Sequence, residues 1–204
     1  MSNRVERRRA AVLAASMILI AGACGGSGQG SGGSAVPVDG SGDWAAYPSG
    51  ALCSAVPSAG DGSFEGMSDD PAATAAANNP VLSTLAAAVE QAGLVDTLNG
   101  TGPFTIFAPV NDAFAAVPDL AALLADQDAL NEVLTFHVVA GERLSSADLI
   151  ERDSVETVQG TTLSLGTGDG ELQLNGQANV GCADVHTANA TVHLIDAVLM
   201  PTDG

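Results

Sequence analysis

The stretch from Phe104 to Phe114, FTIFAPVNDAF, restricts the possible folds more than any other part of the chain. Its first residues alternate as a β-run, with Phe104, Ile106 and Ala108 on one face and Thr105 and Phe107 on the other. Pro109 has no N–H to give to a ladder, so the strand is expected to end there. Asn111 or Asp112 can then cap a short helix whose Ala113, Phe114 and Val117 face inward, until Pro118 closes it. A strand that turns directly into a capped helix needs a fixed corner. The chain has only five Phe, one Tyr and one Trp, so two aromatics beside that corner mark the expected centre of the core.

The residues before the corner read as helices. Asp69, Asp70 and Pro71 open a helix through AATAAANN, and Asn79-Pro80 restarts a second one, VLSTLAAAVEQAG, which Gly93 stops. Leu94, Val95 and Leu98 add a short turn. After Pro118, Leu120, Leu123, Leu124, Leu130, Val133 and Leu134 predict two short helices with Asp126 to Asp128 as a break or cap between them. Thr135 to Val139 is expected to be a strand ending at Gly141. Ser145, Ser146 and Asp148 predict a capped helical turn within Leu144 to Ile150. Beyond it the pattern is β, through VETVQ, TTLSLG, ELQLNG, ANVG and ATVHLIDAVLM. Turns are expected at Gly160, at Gly166 to Gly170 and at Asn175-Gly176. Periodicity alone gives an α+β class.

The N-terminus reads as an export signal covering 1–23. Arg4, Arg7, Arg8 and Arg9 precede an apolar run shorter than the roughly 20 residues a spanning helix needs. It ends Ala21-Gly22-Ala23-Cys24, which is similar to a bacterial lipoprotein box in which Cys24 becomes the lipid-modified first residue. Ordinary small-residue cleavage would leave the same first residue without lipid. Residues 24–42 are Gly/Ser-rich and read as a flexible tether, with a reach of roughly 20 to 25 Å. Residues 43–66 form an irregular lead-in, and the globular part covers 67–204. In an oxidising compartment Cys53 and Cys182 can pair, and lipidation of Cys24 accounts for the third thiol.

Charge narrows the partners. The whole chain carries a formal -18, and removing 1–23 takes away four Arg and Glu6, leaving 2 minus 23, or -21. So acidic a surface repels phosphate backbones and anionic headgroups, which argues against nucleic acid and against electrostatic membrane docking. Any membrane contact is expected through a lipid anchor alone.

The corner also carries a resemblance. Phe107, Ala108, Pro109, Asn111, Ala113 and Phe114 match the first signature of the fasciclin-type domain, with Val110 where that family usually has Thr. Phe136-His137 stands where the family commonly has Tyr-His. Ala190 to Pro201, ATVHLIDAVLMP, resembles its second signature. The runs around Asn78 to Leu85, Val95 to Gly100 and His186 to Val192 are similar to the single-domain actinobacterial surface and secreted antigens of mycobacterial type. The resemblance implies an α+β fold with helices packed on a wedge-like pair of β-sheets, displayed at the cell envelope. It also implies a role in adhesion or in contact with host or extracellular matrix.

No residue set for chemistry stands out. His137, His186 and His193 lack the spacing of a zinc helix, no Ser stands in G-x-S-x-G, and pairing of Cys53 with Cys182 removes a thiol nucleophile. The expectation is a non-enzymatic protein with no metal and no cofactor, in which His137 is a buried core residue fixing its strand against the Asn111-Asp112 corner. Its partner is a protein, matrix or cell-wall component. A receptor for a small apolar or polysaccharide ligand is the alternative. Asn99-Gly100-Thr101 and Asn189-Ala190-Thr191 are formal glycosylation sequons, the first better read as a turn.

Overall fold

A computed structural model describes residues 48–168 and 170–201. The expected export signal, the tether, Cys24 and the start of the lead-in lie outside the described residues. The first described element is a 3-10 turn, Ala51–Ala55. The lead-in is stitched to the domain by a two-bond bridge between Ser49 and Ala183 and by the Cys53–Cys182 disulfide, whose Cα atoms lie 4.9 Å apart. The approach is close enough that small residues are needed on both sides. A Cβ on Gly50, at φ +129°, would sit 2.1 Å from the Gly181 carbonyl, and one on Gly181 would meet the Leu52 side chain.

Helix α1, Phe64–Asp69, is capped by Ser63 and runs across the expected domain boundary at Met67. Helix α2, Ala72–Asn78, follows Pro71. A 3-10 turn at Pro80–Leu82 leads into α3, Ser83–Gln91, which stops before Gly93 at φ +71°. Helix α4 is Val95–Leu98, strand β1 is Phe104–Pro109 and helix α5 is Asn111–Ala115. Helices α6, Leu120–Ala125, and α7, Gln127–Phe136, are separated by Asp126, whose carboxylate accepts from the N–H groups of Asp128 and Ala129. The remaining elements are β2 (Val138–Ala140), α8 (Ser146–Ile150), β3 (Ser154–Glu156), β4 (Thr162–Gly168), β5 (Glu171–Leu174), β6 (Ala178–His186) and β7 (Ala190–Ile195). Helix α8 has the expected cap, a reciprocal Ser145–Asp148 capping box. Those hydrogen bonds from Ser145 hold the Asp148 carboxyl below its usual range.

The strands form one seven-stranded order, β2-β1-β7-β6-β5-β4-β3. The β1–β7 pair is parallel and the others are antiparallel. The two halves expected as a wedge of sheets are thus joined through β6, whose register with β7 shifts at Val180 to Val185. The sheet curls until the Val158 N–H, just past β3, donates to the Val138 carbonyl in β2 at 2.7 Å. It is a nearly closed barrel, and two apolar layers follow from it. Ile106, Ala108, Val192 and Leu194 face outward under the helices, with Phe114, Leu85, Leu130 and Met67. Phe107 and Ile195 face inward with Phe136, Leu149, Leu163, Leu174 and Leu199. A strand buried on both faces needs apolar residues at odd and even positions alike, which is why β1 reads as a nearly continuous apolar run.

Three expectations are corrected. Thr135 and Phe136 belong to α7, because the Leu130, Val133, Leu134 stripe continues at helical spacing and Thr135 Oγ1 donates back to the Asn131 carbonyl at 2.7 Å. The strand is only Val138–Ala140. Gly166 to Gly168 do not turn but continue β4, opposite Glu171 to Gln173. Val198 and Leu199 are outside any strand. Strand β7 stops at Ile195, where the Asp196 carboxylate accepts from the backbone and side-chain amides of Asn179.

Candidate functional site

The signature residues do not converge on a cleft. Phe107 is fully buried inside the barrel and Phe136 packs in the same layer, while Ala113 and Phe114 pack under the helices. Ala108 and Pro109 complete the parallel ladder with Leu194 and Ile195. Asn111 does not cap its own helix. Its Oδ1 accepts the Thr84 N–H at 2.9 Å in the first turn of α3, and its Nδ2 donates to the Pro80 carbonyl at 2.8 Å. The corner therefore clamps a neighbouring helix by satisfying an orphan backbone donor.

Two other asparagines work the same way on α2. Asn189 Oδ1 accepts from Ala72 N–H at 2.9 Å, and Asn99 Oδ1 accepts from Ala73 and Thr74 N–H. Asn189 Nδ2 also donates to the carbonyls of Leu98 and Gly100, both at 2.8 Å. Both sequon asparagines are thus engaged in fastening α2 and α4 to the β6–β7 connection.

His137 is buried, as expected, but its partner is different. Its Nδ1–H donates to the Val133 carbonyl at 2.7 Å and its Nε2 accepts from Leu199 N–H at 3.0 Å, so it pins the C-terminal segment and not the Asn111-Asp112 corner. This arrangement needs a neutral ring with the proton on Nδ1. Burial pushes its pKa from 6.5 to about 4, against a smaller opposing effect of the Val133 bond.

His193, in β7, is a second fully buried imidazole with the opposite tautomer. Its Nε2–H donates to the Leu144 carbonyl at 3.0 Å, and its Nδ1 faces the Asp184 N–H at 3.3 Å. The ring stacks on Phe107 at 5.8 Å between centroids. Burial lowers its pKa too, with the Leu144 bond and Asp184 acting against that and His186 adding to it. Asp184 is itself buried, in left-handed backbone at φ +61°, and its carboxylate receives the N–H and hydroxyl of Ser146 at the start of α8. Thr105 Oγ1 extends the network by accepting from Leu144 N–H and donating to the Glu142 carbonyl. The two histidines and Asp184 hold β1, β6, β7, the segment before α8 and the C-terminal segment in one register. Both rings are buried and their hydrogen bonds fix backbone, and His137 also lines the apolar cavity under the helices.

An apolar cavity of about 40 Å³ lies between α2, α3 and the outer face of β1 and β7, walled by Ala72, Ala76, Leu85, Ile106, Val192 and their neighbours. Among the described residues no three His, Cys, Asp or Glu side chains converge as a metal site, and no helix is long and apolar enough to cross a membrane.

Asp184, His193, Asn99 and Asn189 were not singled out as structural anchors by the sequence. Their partners are up to 117 residues distant, and a local pattern carries no signal for such pairs.

The barrel with its helical cover and the two motif-bearing strands set side by side define a recognised class. A fasciclin domain family model matches residues 80–201, and the chain belongs to the fasciclin domain family. It is 46% identical over 149 residues to the immunogenic protein MPB70 of Mycobacterium bovis, covering 70% of this chain and 75% of that one. It is equally identical over 149 residues to the cell surface glycolipoprotein MPB83 of Mycobacterium bovis, covering 70% of this chain and 66% of that one. Among solved structures, the FAS1 domain pair of the insect cell adhesion molecule Fasciclin I superposes with a TM-score of 0.57 at 19% identity. That match covers 67% of this chain and 52% of the other and bears on the fold alone.

Proposed function

We propose that this protein is an exported surface protein, anchored through a lipid on Cys24, whose fasciclin domain makes adhesive contacts with a protein, matrix or cell-wall partner without transforming it. The observation that carries this reading is the 46% identity to a relative named as a cell surface glycolipoprotein, together with the lipoprotein-like run Ala21-Gly22-Ala23-Cys24 in this chain. The chemistry agrees. The buried imidazoles are spent on backbone register, and the two described cysteines are joined to each other. The disulfide suits an oxidising compartment outside the cytoplasm.

Binding of the immobilised, disulfide-intact protein to cells, matrix proteins and wall polymers tests the contact role. Absence of binding to all three refutes it. Mass spectrometry of the native N-terminus tests the anchor, and an unmodified Cys24 refutes lipidation.

The apolar cavity favours a second reading, a carrier of a small apolar ligand. At about 40 Å³ it admits little more than one small molecule of solvent size, so this reading requires α2 and α3 to part. Native mass spectrometry showing only the bare chain mass refutes it.

A further inference from the structure

We propose that the cavity under α2 and α3 receives the hydrocarbon end of an alkyl chain whose uncharged polar head stays outside, at the seam between those two helices. This deepens the carrier reading and rests on it, while the surface-contact reading does not depend on it. The cavity walls run from α2 and α3 across Ile106 and Val192 on the outer face of the sheet to Leu134 and His137 at the end of α7.

The walls offer a ligand no polar group. Three of the lining side chains carry N, O or S, and each is engaged within the protein. Both nitrogens of His137 are taken by Val133 and Leu199. Thr187 Oγ1 donates to the Ala190 carbonyl and accepts its N–H, and Met67 Sδ accepts from Asn79 Nδ2. A hydroxyl, amide or carboxyl drawn inside would lose its water without gaining a partner, so only hydrocarbon suits the interior. Size narrows this further. At about 40 Å³ the space equals about three water-sized positions, whereas an apolar cavity that takes a benzene ring measures about 150 Å³. It admits the last few carbons of a chain and excludes a ring.

Burial marks the way in. Of the residues that line the cavity, Ala76 on α2 and Ala86 on α3 are partly exposed and the rest are buried, so the opening lies between these two methyl groups. Helix α2 is the side that yields. It places only Ala72, Ala73 and Ala75 in the core, whereas α3 buries Leu85 and Val89. Its first turn is held by Asn189 and Asn99, and at its last turn Asn78 makes an exposed bond to Asp70. The charge at this seam selects the head. Glu90 stands exposed one turn beyond Ala86, and Asp70 lies against Asn78, close beyond Ala76. The two described arginines lie elsewhere, Arg143 on the carbonyls of the β6–β7 connection and Arg152 on Glu142. A carboxylate or phosphate head at the seam meets like charge, and an alcohol or ester head does not.

The test is a titration of the ¹⁵N-labelled full chain at pH 7 with butan-1-ol, pentan-1-ol and hexan-1-ol, and separately with hexanoate and benzyl alcohol. Saturable shifts at the amides of Ala75, Ala76, Ala86 and Val89 are expected for the alkanols, with affinity rising about fourfold per added methylene until the cavity is full. Benzyl alcohol should give none there, and hexanoate should bind at least about twofold more weakly than hexan-1-ol. Ala76→Leu and Ala86→Leu, at the two lips of the opening, should each weaken hexan-1-ol at least about tenfold with circular dichroism unchanged. Absence of saturable shifts with every alkanol, equal binding of benzyl alcohol, or hexan-1-ol binding that neither variant weakens overturns the site. Hexanoate bound as tightly as hexan-1-ol overturns the uncharged head. Native mass spectrometry of the chain from its own cells separates the two levels. A bare mass refutes the carrier reading even where the alkanols bind, and a co-purified mass on a chain that ignores the alkanols refutes the alkyl assignment alone.

Discussion

Acidification should weaken this fold well before its carboxylates titrate, and the size of the effect follows from His137. In the folded chain the ring must stay neutral, because its Nε2 accepts the Leu199 N–H and its Nδ1–H is given to Val133. The unfolded chain takes up a proton near 6.5, whereas the folded one resists until about 4. The stability due to this neutral ring is therefore complete above pH 6.5 and is lost as pH falls toward 4. With about 1.36 kcal/mol per pKa unit, the loss is on the order of 3 kcal/mol. That is a large part of the roughly 5 to 15 kcal/mol typical of a domain. His193 is shifted in the same direction by its burial, so the slope over the window should exceed that of one proton. Urea unfolding at pH 7, 6, 5 and 4.5 measures it. His137→Gln keeps a polar group but cannot titrate, and should flatten the curve by about one proton's worth while lowering stability at pH 7. A stability that is level from pH 7 to 5, or a slope unchanged in His137→Gln, would show that the ring is not held neutral and would refute the burial argument.

Reduction of Cys53–Cys182 reopens a loop of 129 residues, worth nearly 5 kcal/mol in the chain-entropy account and so roughly 10 to 20 °C in melting temperature; equal melting with and without reductant would sink it. Asn189→Ala removes the acceptor for Ala72 N–H and the donor to two carbonyls, and should cost about 1 to 3 kcal/mol in chemical denaturation. Amide exchange should quicken first in α2, and uniform exchange rates would argue against a local clamp. Asp184→Asn retains an acceptor for Ser146 and tolerates left-handed backbone, so it should be milder than Asp184→Ala by about 1 kcal/mol or more; a reversed order would contradict the cap. Phe107→Ala empties a fully buried site against His193 and should cost about 3 to 5 kcal/mol by thermal unfolding. A loss below about 1 kcal/mol would mean that the barrel interior is not closed around that ring.

The corner, the capped helices and most strands were legible because each leaves a local trace: the alternation of Phe104 to Ala108, the Asp126 and Ser145–Asp148 caps, and Asn175-Gly176 at a hairpin. The cysteine count also pointed to the pairing that the structure contains. What escaped was set at a distance. Thr135 and Phe136 carry strand-forming side chains, yet the helical stripe before them and the bond to Asn131 keep them in α7. Asn111 has the chemistry of a cap, which the sequence revealed, but the helix it caps begins 28 residues earlier. His137 was correctly read as core, while Leu199, its partner 62 residues away, was invisible.

The disulfide sets the route by which mechanical load enters this fold. A pull arriving along the residues before Ser49 reaches Cys53 and passes through a covalent bond into the middle of β6, so the stretch from Ser54 to Gly181, with every helix in it, is short-circuited. Force is delivered to the centre of the barrel and not to its helical cover. Stretched between its ends, an oxidised molecule should lengthen only by the residues outside the bridge, whereas a reduced one should pay out the whole domain.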